Sequence, residues 1–345
     1  PNKGSVGASG DLAPLAHLAS VAIGEGEAFL NGERLPGGEA LKQVELSPIE
    51  LAPKEGLSLI NGTQQMTGWG ALTYLKSVQT MDYADLICTA SLEGVLGSAK
   101  AYTDWVQAAR PYVGQKRSAQ RMLAFMEGSE IWNSHLNCDR VQDSYSFRCA
   151  PQVHGACRDL LSHVASILQT EFNSSTDNPL VHPDTGEIIS NGNFHGQPVA
   201  FALDILAMAL SEIGSLSERR IAKLIDPNFS ELPSFLVKNE GLNSGFMMAH
   251  VTAASLASEN KMLCTPMSVD SIPTNNEKED HVSMGPNAAR KAAQLLQNVW
   301  HILSIEALVA CQALEFRKPL KPGVGPQALY DWVRELVPAL DEDRY

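Results

Sequence analysis

Residues 4–11, Gly-Ser-Val-Gly-Ala-Ser-Gly-Asp, set three small residues, Ala8, Ser9 and Gly10, between two further glycines and an acidic residue, ahead of a helix-like apolar run. This composition permits the backbone to react with itself. Glycine has no Cβ, so the Gly10 amide nitrogen can approach the Ala8 carbonyl carbon closely enough to close a ring. Loss of water from Ser9 then leaves an exocyclic alkene, an electrophile. At a helix N-terminus the positive end of the dipole favours the negative charge that develops as a nucleophile adds. The plain alternative is a helix start, with Asp11 as its cap, Pro14 in its first turn and the glycines supplying backbone freedom. Taken alone, the stretch admits both.

Other catalytic patterns fit poorly. Asp11 stands where a nucleophile elbow around Ser9 needs its second glycine, and no Gly-Lys-Ser/Thr follows to make a phosphate loop. Ser258 and Lys261 match S-x-x-K but lie in an apolar-periodic stretch without the companion motifs. His17, His135, His154, His195 and His281 lack metal-ligand spacing, so no metal is expected. Gln142, Tyr145 and Arg148 recur at intervals of three. On a helix they share one broad face and converge on a small ligand, unless that face is simply solvated. Asn61 follows the apolar Leu57–Ile60 in a polar Asn-Gly-Thr-Gln run, as a turn or cap residue would. Phe194 reads as the anchor of a glycine-flanked loop, and Glu279 as part of the solvated run 277–280.

Apolar residues recur every three or four positions over Met66–Val106, Val153–Leu168, Val199–Leu224, Met247–Leu263 and Ala288–Phe316, which predicts long helices. One hairpin is expected over Ala28–Leu35, turning at Asn31-Gly32. The fold class is therefore all-α with a minor β-hairpin, as a single domain over residues 1–345. Loops at 173–193, 227–245 and 266–285 are long enough to suggest functional roles. The net charge of −13, from 26 basic and 39 acidic residues, excludes the basic surface that nucleic acid requires and favours a small-molecule substrate. Six scattered cysteines without CxxC pairs suit a reducing, cytoplasmic setting. The apolar run 302–316 falls short of a membrane span, and no signal pattern opens the chain.

Five separated blocks, GSVGASGDLAPLAH from Gly4, LINGTQ from Leu59, VQDSYSFRCAPQV from Val141, GNFHG from Gly192 and KEDHVS from Lys278, together resemble the aromatic amino acid ammonia-lyases. The resemblance implies the long-helix bundle of the fumarase and aspartase group, assembled as a homotetramer with sites shared between subunits. It implies that Ala8, Ser9 and Gly10 form a 4-methylideneimidazol-5-one group autocatalytically, with no external cofactor. By the same resemblance Asn61 donates a hydrogen bond that supports the electrophile, and Arg148 holds the substrate carboxylate. Gln142 and Tyr145 organise the amine and the electrophile, and Phe194 packs over the substrate ring. Glu279 stands where relatives acting on phenylalanine or tyrosine carry an amide, and a carboxylate accepts from an imidazole N–H. L-histidine is thus the expected substrate, deaminated to trans-urocanate and ammonia. Alternatives are a tyrosine or phenylalanine ammonia-lyase or aminomutase, or an inactive helical assembly. The chain departs from the family at Tyr112, where histidine is common, and Glu277, where asparagine is usual. The family's N-terminal region, with a tyrosine base, and its extreme C-terminus are missing from these residues, so a fragment with negligible activity by itself is expected.

Overall fold

The computed structural model describes residues 2–344. Long helices run over Gln64–Gly94, Ala150–Phe172, Gln197–Leu224, Met247–Leu263 and Gly285–Glu315, so each apolar-periodic stretch holds a helix and the fold is all-α. The first of them ends earlier than its apolar spacing predicts. Beyond Gly94, Leu96 takes a φ of 51° and the Gly97 backbone lies against the Leu92 side chain. The chain continues in a 3₁₀ turn, Ala99–Tyr102, and a short helix, Asp104–Ala108.

Glu27–Leu30 and Glu33–Pro36 pair antiparallel, and the turn between them has φ of 51° at Asn31 and 86° at Gly32. Two left-handed central residues match the right-handed twist of the strands, which is why Asn-Gly marks such hairpins. A second ladder pairs Leu180–Val181 with Ile188–Ile189 inside the 173–193 loop. Two residues per strand are too few to leave an alternating pattern.

The chain divides into two compact units, residues 1–73, 164–205 and 265–293, and residues 74–163, 206–264 and 294–345. The first buries Leu15, Met66, Val199, Leu203, Val282 and Met284. The second buries Met81, Leu92, Met122, Phe147, Leu210, Val299 and Ile302. Within the second unit the fully buried Arg220 is paired through two nitrogens with Glu306, at 2.5 and 2.8 Å, and His154 Nδ1 lies 2.8 Å from Asp85. A buried charge stripped of its partner would be strongly destabilising, so these pairs behave as units.

The helix Gln197–Leu224 is long and apolar enough to cross a membrane by length and composition, which qualifies the expectation that no segment is. Of its most apolar window 61% is buried inside the protein.

Candidate active site

The 4–11 segment is a tight turn whose conformation few residues can adopt. Ser9 has a φ of 51° and Gly10 of 92°. Left-handed backbone is uncommon outside glycine, and it costs energy that surrounding structure must offset. That structure comes mainly from Gly62. Its N–H donates to Ser9 O at 3.2 Å, and its carbonyl accepts from Asp11 N at 2.7 Å. A Cβ on Gly10 would overlap the Gly62 carbonyl, and a Cβ on Gly62, at φ 108°, would overlap the Thr176 carbonyl. Glycine is required at both positions because two backbones touch there. Among the described residues none accepts a hydrogen bond from the Gly10 N–H.

The other side of the turn is gripped by the 282–285 segment. Met284 N donates to Val6 O at 2.9 Å, and the buried Ala8 packs with Val282 and Met284. One residue before Val282, the His281 ring stacks on His195 at 5.6 Å, and His195 Nε2 lies 3.2 Å from His281 O. This fixes the 192–196 loop, which carries the half-buried Phe194. Glu279, half-buried, accepts from Thr274 Oγ1 at 2.6 Å across a short antiparallel bridge whose turn, 275–277, is left-handed at all three residues. Thus Ala8, Ser9, Gly10, Asn61, Phe194 and the segment bearing Glu279 lie together in the first unit.

Asp11 does not cap its own helix. Its Oδ2 accepts from Met66 N at 2.8 Å, in the first turn of the Gln64–Gly94 helix, while Leu12–Ala22 has no side-chain cap. Its Oδ1 is buried without a partner among the described residues. Burial pushes the Asp11 carboxyl up to about 7, with the Met66 and Gln65 amides pulling it down and Glu171 adding repulsion.

Gln142, Tyr145 and Arg148 belong to the second unit and do not share a helix. Only Tyr145–Arg148 is helical, and Gln142 sits in the irregular segment before it. Three-residue spacing predicted one face; the adjacent Asp143 instead accepts from Ser98 N at 2.7 Å, which pins that segment as a loop. The Arg148 guanidinium lies 4.9 Å from the Tyr145 ring centroid, and its Nε is buried without a partner among the described residues. An unpaired guanidinium nitrogen beside an exposed phenol can take a carboxylate.

Met66 and Ser283 were not singled out by sequence reasoning. Cβ atoms placed on Gly7, Gly196 and Gly285 would each meet both Met66 and Ser283, Gly7 overlapping Ser283 and the other two overlapping Met66, so three backbone segments converge on these side chains. Ser283 ends the KEDHVS block, the one signal that marks it. Met66 carries none, since a methionine in an apolar helix looks like any core residue.

A family model described as aromatic amino acid lyase matches residues 1–335. The chain belongs to the aromatic amino acid lyase family. Among lyase relatives, the histidine ammonia-lyase of Anaeromyxobacter sp. (strain K) is 54% identical, with all of this chain covering 70% of that protein. Among solved structures, the histidine ammonia-lyase of Trypanosoma cruzi superimposes with a TM-score of 0.92 at 44% identity, all of this chain covering 65% of that one. The tyrosine aminomutase of Streptomyces globisporus gives 0.91 at 39% identity, with all of this chain covering 69%. The chain thus spans about two thirds of the length of these proteins, and its helical fold is that of the two solved structures.

Proposed function

We propose that the protein is a histidine ammonia-lyase, converting L-histidine to trans-urocanate and ammonia. The observation that carries this reading is the 54% identity, along the whole chain, to a protein named for that activity, against 39% to the tyrosine aminomutase. Glu279 favours the same substrate, because an ionised carboxylate accepts an imidazole N–H where an amide would suit a phenol.

The residues present fit a 4-methylideneimidazol-5-one group made from Ala8, Ser9 and Gly10. Ser9 and Gly10 are already left-handed, the Gly10 N–H is not engaged, and the turn is clasped by Gly62 and by residues 282–284. When formed, the group supplies an electrophilic carbon for the substrate amine. Arg148 holds the carboxylate through its unpaired guanidinium nitrogen, and Glu279 orients the imidazole. In the family's arrangement, where sites are completed between subunits, Tyr145 and Gln142 serve the amine and Phe194 the substrate ring. Holding three points of a small substrate converts binding into orientation, which supplies much of the gain in such reactions. The assembly is a cytoplasmic homotetramer with sites shared between subunits. Exposed Leu72, Leu75, Met208, Met248 and Met262 on the long helices support subunit contact.

The test has two arms. With the family's N-terminal region supplied, the protein should be about 36 Da lighter than its sequence, the mass of two waters, and should produce urocanate from histidine. Glu279→Gln should keep the mass loss but lower kcat/KM for histidine by roughly 10- to 100-fold, since it removes a charged acceptor worth about 1.5–3 kcal/mol. Unchanged histidine turnover in that variant refutes the role of Glu279.

A further inference from the structure

One hydroxyl bridges the reactive turn. Ser5 Oγ accepts from Gly7 N at 3.0 Å and donates to Gly10 O at 3.4 Å, so it touches the chain on both sides of Ala8 and Ser9. An amide N–H can only donate and a carbonyl can only accept, so these two partners fix which way the hydroxyl hydrogen points. Ser5 is half-buried and stands outside the tripeptide, three positions before Ala8.

The Gly10 carbonyl depends on that hydroxyl. Gly10 is buried, and among the described residues no backbone N–H donates to its oxygen. The helix Leu12–Ala22 would offer a donor from the residue four positions on. That residue is Pro14, which has no N–H. A Ser5 hydroxyl therefore stands where the helix backbone provides nothing, on the residue whose nitrogen must close the ring.

We infer that Ser5 is a positioning residue for ring closure: its hydroxyl, steadied by the Gly7 amide, holds the Gly10 carbonyl so that the Gly10 nitrogen is presented to the Ala8 carbonyl carbon. The inference rests on the lyase reading above. In the closure a bond forms between Gly10 N and Ala8 C. The Ala8 oxygen leaves as water with the hydrogens of the Gly10 and Ser9 amides, and the Ser9 hydroxyl leaves as a second water with the Ser9 α-hydrogen. Ser5 gives up no atom. Its bond to Gly10 O is long beside the usual O–H···O separation of about 2.7–2.8 Å. Closure draws the turn in, so the bond tightens as the nitrogen reaches the carbon, and a contact that strengthens toward the transition state speeds the step.

The test compares Ser5→Ala with Ser5→Thr, each in the protein with the family's N-terminal region supplied. Chains are made by cell-free translation, and mass spectrometry at intervals follows the loss of two waters while circular dichroism follows folding. Ser5→Ala should slow the mass loss by roughly 2- to 10-fold, the range for one neutral hydrogen bond. Ser5→Thr keeps a hydroxyl at the same place and should close at the parent rate. Histidine turnover per closed chain should equal the parent's in both, since Ser5 acts before the substrate arrives. A Ser5→Ala protein that closes as fast as the parent overturns the inference. So does equal slowing in both variants, because the hydroxyl would then not be the cause, and so does a delay accounted for wholly by slower folding. A parent that never loses two waters is a separate failure: it overturns the ring-forming reading itself, and this inference with it.

Discussion

Removing a single oxygen, by Tyr102→Phe, should loosen the turn that carries Tyr145 and Arg148. Tyr102 is fully buried, and its hydroxyl donates to Phe147 O at 2.7 Å. That carbonyl lies at the end of the short Tyr145–Arg148 helix, where carbonyls lack partners within the helix. Arg220 reaches the neighbouring Ser146 O only at 3.4 Å, so it offers weak compensation. Burial pushes the Tyr102 hydroxyl well above its usual range, which keeps it a donor at any working pH. The variant strips a fully buried carbonyl of its hydroxyl donor and leaves it only the Cys149 N–H at the helix end, at a cost of about 1–3 kcal/mol. The phenyl ring still fills its place, so no cavity term adds. If half of that cost is relieved by movement of the turn, Arg148 loses about 1 kcal/mol of carboxylate binding, roughly a fivefold rise in KM. Urea titration gives the stability change, and initial rates across histidine concentrations give KM and kcat separately. An unchanged unfolding midpoint together with an unchanged KM would refute the reasoning, because the carbonyl would then have found another donor without moving the turn.

Three other perturbations test the surroundings of the reactive turn. Gly62→Ala should abolish the mass loss and destabilise by about 3 kcal/mol, since alanine pays for φ 108° and its Cβ meets the Thr176 carbonyl; mass spectrometry and thermal melting decide it, and a normal mass refutes it. For Asp11, the folded carboxyl titrates near 7 against about 4 when unfolded, so the native state binds more protons between these values. Its contribution is fully present below about pH 4 and is lost as pH rises through about 7. Asp11→Asn should therefore flatten the fall of melting temperature over that window, though only in part, because burial also pushes Glu93 up to about 7. Glu277→Asn should stabilise by about 0.5 kcal/mol, because asparagine tolerates the left-handed φ of 65° that Glu277 must adopt; a lower melting temperature would count against it.

Much of the architecture was legible along the chain. Helical periodicity located every long helix, because burying one stripe of a cylinder requires apolar residues at that spacing. Asn31-Gly32 located the hairpin for an equally local reason. The end of the first long helix was missed, since Leu96 and Gly97 break it after a stretch whose apolar rhythm continues. Gln142 was misplaced on a helix because spacing alone cannot register that Asp143 is held by the Ser98 amide, 45 positions away.

The sequence by itself determined the element types, the small-residue turn at 8–10 and the residue types able to hold an amino acid, because each follows from covalent geometry or from repeats within a few positions. Tertiary structure alone decided what those groups are bonded to. Asp11 serves the helix beginning at Gln64 and not its own, and Asn61 turns its hydrogens to Asp177, 116 positions later. A side chain's hydrogen-bonding role depends on which partner arrives, and partners that far apart in the chain leave no periodic trace in it.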